Sequence, residues 1–282
     1  MGELEPAGNR DVAMTSTIIS AEVLSRPHIQ RLLGRSAMYE ALALSLAWPM
    51  DETLARLDAL LEDLAGHEVV AALGAERELE ALRAARANVD AERLAPVHFV
   101  LFEGSVLCSP HETEYIRDPF AKAAQLADIA GFYAAFGLQV STVNQTTPDD
   151  ICTELEFMAL VTRREAYAAV QDWDDRASVC RAASRTFMDA HLGRWIGAFT
   201  ADLCEQAGTA AATRDDEATG TWFHAVAELL RVAVEADLLA QGVHPSRLHA
   251  RVINDDTEAV PSCPLAIVPE PNLIDLDDEI IR

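Results

Sequence analysis

The stretch TPDDICTELEFMALVTRREAYAAV, residues 147–170, decides the fold. Thr147-Pro148-Asp149-Asp150 reads as a helix start: a capping hydroxyl, a proline in the first turn, then acids at the positive end of the dipole. Behind it Ile151, Leu155, Phe157 and Met158 make the helix apolar nearly all round. A helix of that kind is central and buried, and other elements must cover it.

Working outward, the covering elements read as helices too. HIQRLLGRSAMYEALALSLAWP (28–49) spaces Ile29, Leu32, Leu33, Met38, Leu42 and Leu46 by threes and fours, and Pro49 stops it. MDETLARLDALLEDLAGH (50–67) repeats the pattern, with Gly66 as a C-cap. GAERELEALRAARANVDAERLAPVHFVLFEG (74–104) gives one or two more. On the far side stand FAKAAQLADIAGFYAAFGL (120–138), SVCRAASRTFMDAHLGRWIGAFTADLCEQA (178–207) and TWFHAVAELLRVAVEADLLAQG (221–242). GTAAATRDDEATG (208–220) reads as a loop, and residues 138–147 as a polar connector. Alternating β-branched runs are nearly absent, and alanine and leucine dominate. The expectation is an all-α, single-domain bundle of roughly eight to ten helices. It spans residues 27–253, after an irregular segment 1–26 and before an acidic, proline-rich tail 254–282 that reads as extended or disordered. A period-breaking loop at 104–119 divides the helices into two groups.

Charge and cysteine use bound the function. The formal charge is −24, from 46 acidic and 22 basic side chains. That balance disfavours nucleic acid and any stable association with an anionic membrane, and it suits a basic partner. The five cysteines are scattered, with no CxxC, which points to a reducing compartment. No secretory signal is evident at the N-terminus, and no apolar run reaches ~18 residues, so a cytoplasmic protein is expected.

Two segments carry chemistry-bearing side chains: SPHETEY (109–115) and the head of the 147–170 helix. Crowded carboxylates and aromatics can hold a metal, act as acid and base, or receive a cationic partner. No Glu-x-x-His pair, His/Cys cluster or HExxH supports a metal, so none is expected, nor any cofactor. GxSxG and phosphate-cradling glycine loops are missing. Asp149 and Asp150 read first as dipole-favoured residues of an N-terminal turn. Glu154 sits on a buried helix, where a charge is usually paired or functional, and a helical enzyme with Glu154 as its base stays open. His191 and Trp195, four apart, read as a packing pair.

Four segments in series then become diagnostic together: LFEGSVLCSPHETEY, GFYAAFGL, PDDICTELEFMALVTRREAYA and FMDAHLGRWIGAFTADL. Over residues 30 to 240 they resemble the TorD/DmsD/NarJ family of redox-enzyme maturation chaperones. The resemblance implies an all-helical, TorD-like unit with a hinge-like loop, either a monomer or a domain-swapped homodimer. It implies no catalysis. It implies a cytoplasmic chaperone that binds the catalytic subunit of a molybdenum-cofactor oxidoreductase of the dimethyl sulfoxide reductase type, often at its twin-arginine leader, until the cofactor is inserted and the subunits are assembled. A NarJ-like variant serves a subunit that has no such leader.

Residue by residue, Leu101, Phe102 and Gly104 match the family's Leu-Phe-turn, with Ser105 in place of proline. Pro110, Glu112 and Tyr115 match the proline-rich loop, where His111 and Ser109 flank a single proline. Asp149-Asp150 stands where the family has Asp-His. Glu154, Glu156 and Phe157 match its Glu-Leu-Glu-Phe run. The resulting expectation is a peptide-docking surface of Leu101, Phe102, Pro110, His111, Glu112, Tyr115, Asp149, Asp150, Glu154 and Phe157. Its carboxylates would take guanidinium forks, and its apolar groups the greasy part of the peptide.

Overall fold

The computed structural model describes residues 21–141, 147–248 and 273–275. Most of the expected irregular N-terminal segment, residues 1–20, lies outside the described residues, as does all of the tail except Leu273–Asp275. Among the described residues the chain is a helical bundle. Its order is α1 (Ala21–Leu24), α2 (Pro27–Leu46), α3 (Asp51–Leu64), α4 (Glu68–Leu73), α5 (Glu76–Arg86), α6 (Ala91–Phe102), α7 (Pro119–Ala135), α8 (Ile151–Val170), α9 (Asp174–Ala190), α10 (Leu192–Ala212) and α11 (Glu217–Gln241). A 3-10 turn, Glu112–Tyr115, interrupts the loop between α6 and α7. The all-α reading stands, with one small exception. Leu138–Val140 (β1) and Leu273–Asp275 (β2) pair antiparallel as a two-stranded ribbon. No described helix is long and apolar enough to cross a membrane.

The fold is organised around α8, as its composition requires. α2 lies along it on one side and α9 on another, while α10 and α11 form a second tightly packed pair that α5 backs. Ile151, Leu155, Phe157, Met158 and Val161 of α8 are all buried. Phe157 is ringed by Phe132, Tyr133, Phe136 and Phe187 at centroid distances of 4.7 to 6.4 Å. Edge-on aromatic contacts of this kind add to what area burial alone supplies. Between α2 and α11 a polar lock forms: Asp237 accepts from Arg35 at 2.9 Å, Tyr39 at 2.5 Å and Gln241 at 3.0 Å. On the surface Glu40 joins Arg56 of α3 and Arg163 of α8.

Four local expectations are corrected. The helix expected to start at Thr147 starts at Ile151; its cap is Asp150, whose Oδ1 accepts from the amides of Cys152 and Thr153. The long helix over 178–207 is two helices broken at His191, whose backbone (φ −129°, ψ −101°) leaves the helical region. Gly193 makes the reversal possible, because a Cβ there would lie 2.4 Å from the Met188 carbonyl. The loop expected at 208–220 shrinks to residues 213–216, since its alanines continue α10 and its acids begin α11. Finally, the 138–147 connector begins with β1. Cys108, Cys152, Cys180 and Cys204 are thiols rather than disulfides; Cys263 lies outside the described residues.

Candidate functional site

The loop after α6 and the head of α8 form one structure. His111 and Asp150 make an antiparallel bridge pair. The Glu112 amide donates to the Asp149 carbonyl at 3.0 Å, and the Ile151 amide donates to the Pro110 carbonyl at 2.8 Å. The first amide of α8, which no helical carbonyl can reach, is thus satisfied by the loop. Asp149 faces away from its own helix. Its Oδ2 accepts from the amide and the hydroxyl of Thr113 at 3.1 and 2.7 Å, and its Oδ1 from the Thr147 hydroxyl at 2.5 Å. His111 Nδ1 stands 3.2 Å from that hydroxyl. Tyr133 of α7 donates to the Pro148 carbonyl at 2.8 Å, which fixes α7 to the same junction.

Beneath this junction lies a buried polar set. Glu154 Oε2 accepts from Trp195 Nε1 at 3.1 Å. Glu112 accepts from Gln125 at 2.8 Å and lies 3.3 Å from His191 Nδ1. Tyr115 donates to the Ser109 carbonyl and packs against Trp195 at 5.3 Å between ring centroids. His191 also comes within 3.2 Å of Asp128, a carboxylate that reaches solvent.

Burial raises the Glu154 carboxyl well above its ordinary range, and the nearby Glu112 raises it further, against the opposing bond from Trp195. Its Oε1 has no hydrogen-bond partner among the described residues. Burial and the Glu112 charge thus both favour the protonated form of Glu154. Burial also raises Asp150, against the pull of His111.

These shifts fix a pH dependence. A folded-state value above the unfolded one means that the folded chain binds the extra proton. Stability then falls as pH rises from about 4.5 through the folded value of Glu154, with a limiting slope of about 1.4 kcal/mol per pH unit. His98 works in the opposite sense: burial lowers it to about 4, so it favours the folded chain increasingly as pH rises to 6.5 and adds nothing to the slope beyond. Glu154→Gln should therefore be more stable than the wild type at pH 8, with the gap closing toward pH 4.5. Urea titrations at several pH values check this. Parallel pH profiles for the two chains would mean that Glu154 ionises normally.

The ten residues expected to line a docking surface thus divide. Leu101, Phe102, Pro110, Glu112, Tyr115, Asp149, Glu154 and Phe157 are buried, and only His111 and Asp150 are partly accessible. Leu101 and Phe102 are core, with Phe102 packed against His98, Phe199 and Phe223. Glu154, with 0% exposure, offers no accessible base. Sequence reasoning missed Thr113, Gln125 and the polar role of His191, and nothing local marks any of them. It also missed Phe120, 92% exposed in the first turn of α7 and capped by Asp118. Phe120 shares that end of α7 with Lys122, which pairs with Glu114 of the 3-10 turn.

One grouping among the described residues has ligand-type atoms close enough for a metal. Cys204, His224 and Glu228 bring one such atom each within 4.8 Å of one another, from two helices and hence without a sequence signature. Arg231 already neutralises Glu228 at 2.7 Å. The Cys204 thiol, pushed up to about 11 by burial and Glu228, stays protonated.

Comparison with known proteins adds to this geometry. Residues 50–201, more than half of the chain, match the family model described as the nitrate reductase delta subunit. The selenate reductase assembly chaperone protein of Thauera selenatis is 35% identical over 112 residues, 40% of this chain and 55% of that protein. The perchlorate reductase assembly chaperone protein of Dechloromonas aromatica (strain RCB) is 29% identical over 84 residues, 30% of this chain and 37% of that protein. The chain thus spans about half the length of the first of these relatives and less of the second. No solved structure matches.

Proposed function

Because the chain belongs to the nitrate reductase delta subunit family, we propose that it is an assembly chaperone that binds the catalytic subunit of a molybdenum-cofactor oxidoreductase in the cytoplasm, before cofactor insertion and export. The observation that carries this reading is the match over residues 50–201, together with two relatives named as reductase assembly chaperones. No catalytic step is involved.

The geometry supports a docking surface at the loop–α8 junction. The accessible groups there are His111, Asp150, Glu114, Asp118, Asp128 and the exposed ring of Phe120. Arginines of a leader or N-terminal segment would meet the carboxylates, and its apolar residues would meet Phe120. The buried members of the expected site, Leu101, Phe102, Pro110, Glu112, Tyr115, Asp149, Glu154 and Phe157, would hold this rim in shape without touching the client.

Overlapping peptides of the catalytic subunit that co-purifies with the chain test the reading. A labelled peptide from its N-terminal region should bind saturably, and more weakly as salt rises. Phe120→Ala with Asp118→Asn should weaken it about tenfold or more, the loss of an aromatic anchor and a charge contact. Binding confined to peptides from the mature subunit would relocate the client segment away from the leader. Absence of any molybdenum oxidoreductase subunit from the co-purified material would refute the reading.

A further inference from the structure

The ribbon of β1 and β2 is the one place where the tail meets the bundle among the described residues. Leu138 lies opposite Asp275, Gln139 opposite Ile274 and Val140 opposite Leu273, and β2 also rests against α8. Along β1 exposure alternates: Leu138 is buried, Gln139 exposed and Val140 half-buried. One face of the strand is anchored while its main chain takes a partner.

The attachment is weak by construction. Three residue pairs form few hydrogen bonds, and a two-stranded ribbon alone is marginal in water. Each such bond contributes about 1 kcal/mol net. Closing the connection from α11 to Leu273 costs entropy that grows with its length. Main-chain pairing is also tolerant of sequence, so an incoming extended segment can replace a resident one. β1 follows directly on α7, whose other end carries Phe120, and β2 touches α8, whose head carries Asp150. The strand is therefore joined directly to the helix that carries Phe120, at the end opposite that ring.

Resting on the chaperone reading above, we propose that the main chain of β1 is a docking strand for an extended segment of the client, and that Leu273–Asp275 is a built-in competitor which the client displaces. The tail has many acids and a single arginine, Arg282, so it cannot imitate a basic leader by charge. It competes through its backbone. A chain whose strand is covered for most of the time has an apparent affinity lowered by the fraction of time the strand is free.

The test uses the full-length chain with Leu273→Pro and Ile274→Pro, because proline cannot donate to a strand ladder. Two probes are titrated: the client peptide from the preceding experiment, and a synthetic peptide of residues 266–282 of this chain. The expected results are client binding about threefold or more tighter than to the wild type, binding of the 266–282 peptide to the variant, and competition between the two probes. A 266–282 peptide carrying the same two prolines keeps the charge and should not compete. If the client peptide binds but its affinity is indifferent to the prolines and to the 266–282 peptide, this inference is overturned and the chaperone reading stands. If the 266–282 peptide binds but no client peptide does, both fail. Unchanged far-ultraviolet circular dichroism and melting of the variant establish that the bundle is intact.

Discussion

Asp149→Ala will lower the unfolding free energy by about 3–5 kcal/mol, because it strands the buried amide and hydroxyl of Thr113 together. Asp149 is 1% exposed, and both Thr113 groups point at its Oδ2. The loss should be concentrated in the loop–α8 junction, so protection of the Glu112 and Ile151 amides falls before that of the α10–α11 pair. Asp149→Asn keeps one acceptor oxygen and should lose about half as much. Urea unfolding followed by circular dichroism gives the magnitude, and amide exchange gives the location. A loss below about 1 kcal/mol for the alanine would mean that the Thr113 groups find other partners.

Asp237→Ala acts between α2 and α11, with an expected cost of about 3–5 kcal/mol, the usual range for removing one member of a buried ion pair. Arg35 is 18% exposed and Asp237 4%, so solvent screens the pair little. The mutant leaves the Arg35 guanidinium, the Tyr39 hydroxyl and the Gln241 amide without their common acceptor. Replacing Arg35 and Asp237 together by leucine should recover most of the loss, since the penalty comes from the abandoned charge. The double-mutant cycle measures the coupling between them. Additive single-mutant losses would show that the pair is not coupled and that α2 and α11 are held by packing alone.

Periodicity and composition made the main helices legible: α2 and α3 lie close to where their three- and four-residue spacings put them, and α7, α8 and α11 close to the helical stretches read for them. The elements it missed have physical reasons. α4 has only six residues, too few to display a period. The break at His191 is invisible in the sequence because AHLGRW carries no helix-stop signal, and it shows in the folded backbone, where His191 leaves the helical region and the Met188 carbonyl closes on Gly193. β1 looks like a helix end, and it becomes a strand because a distant backbone lies beside it.

The site was legible in part. Glu154 stood out because its sequence neighbours are apolar, and burial of that acid follows directly. Asp149 and Glu112 gave no such sign. Each sits among loop residues that ordinarily face water, and each is buried by partners from elsewhere in the chain: Thr113 for Asp149, Gln125 and His191 for Glu112. Residue type alone says that a carboxylate wants donors; it does not say whether those donors belong to a ligand or to the protein itself. Here most belong to the protein.

The Pro110 carbonyl that receives the Ile151 amide ties the loop after α6 to the first rung of the central helix. Anything that grips the loop also steadies that rung, and anything that tugs it free begins to unwind the central rod. A client bound at the proposed rim should therefore slow deuterium uptake at Ile151, Cys152 and Thr153.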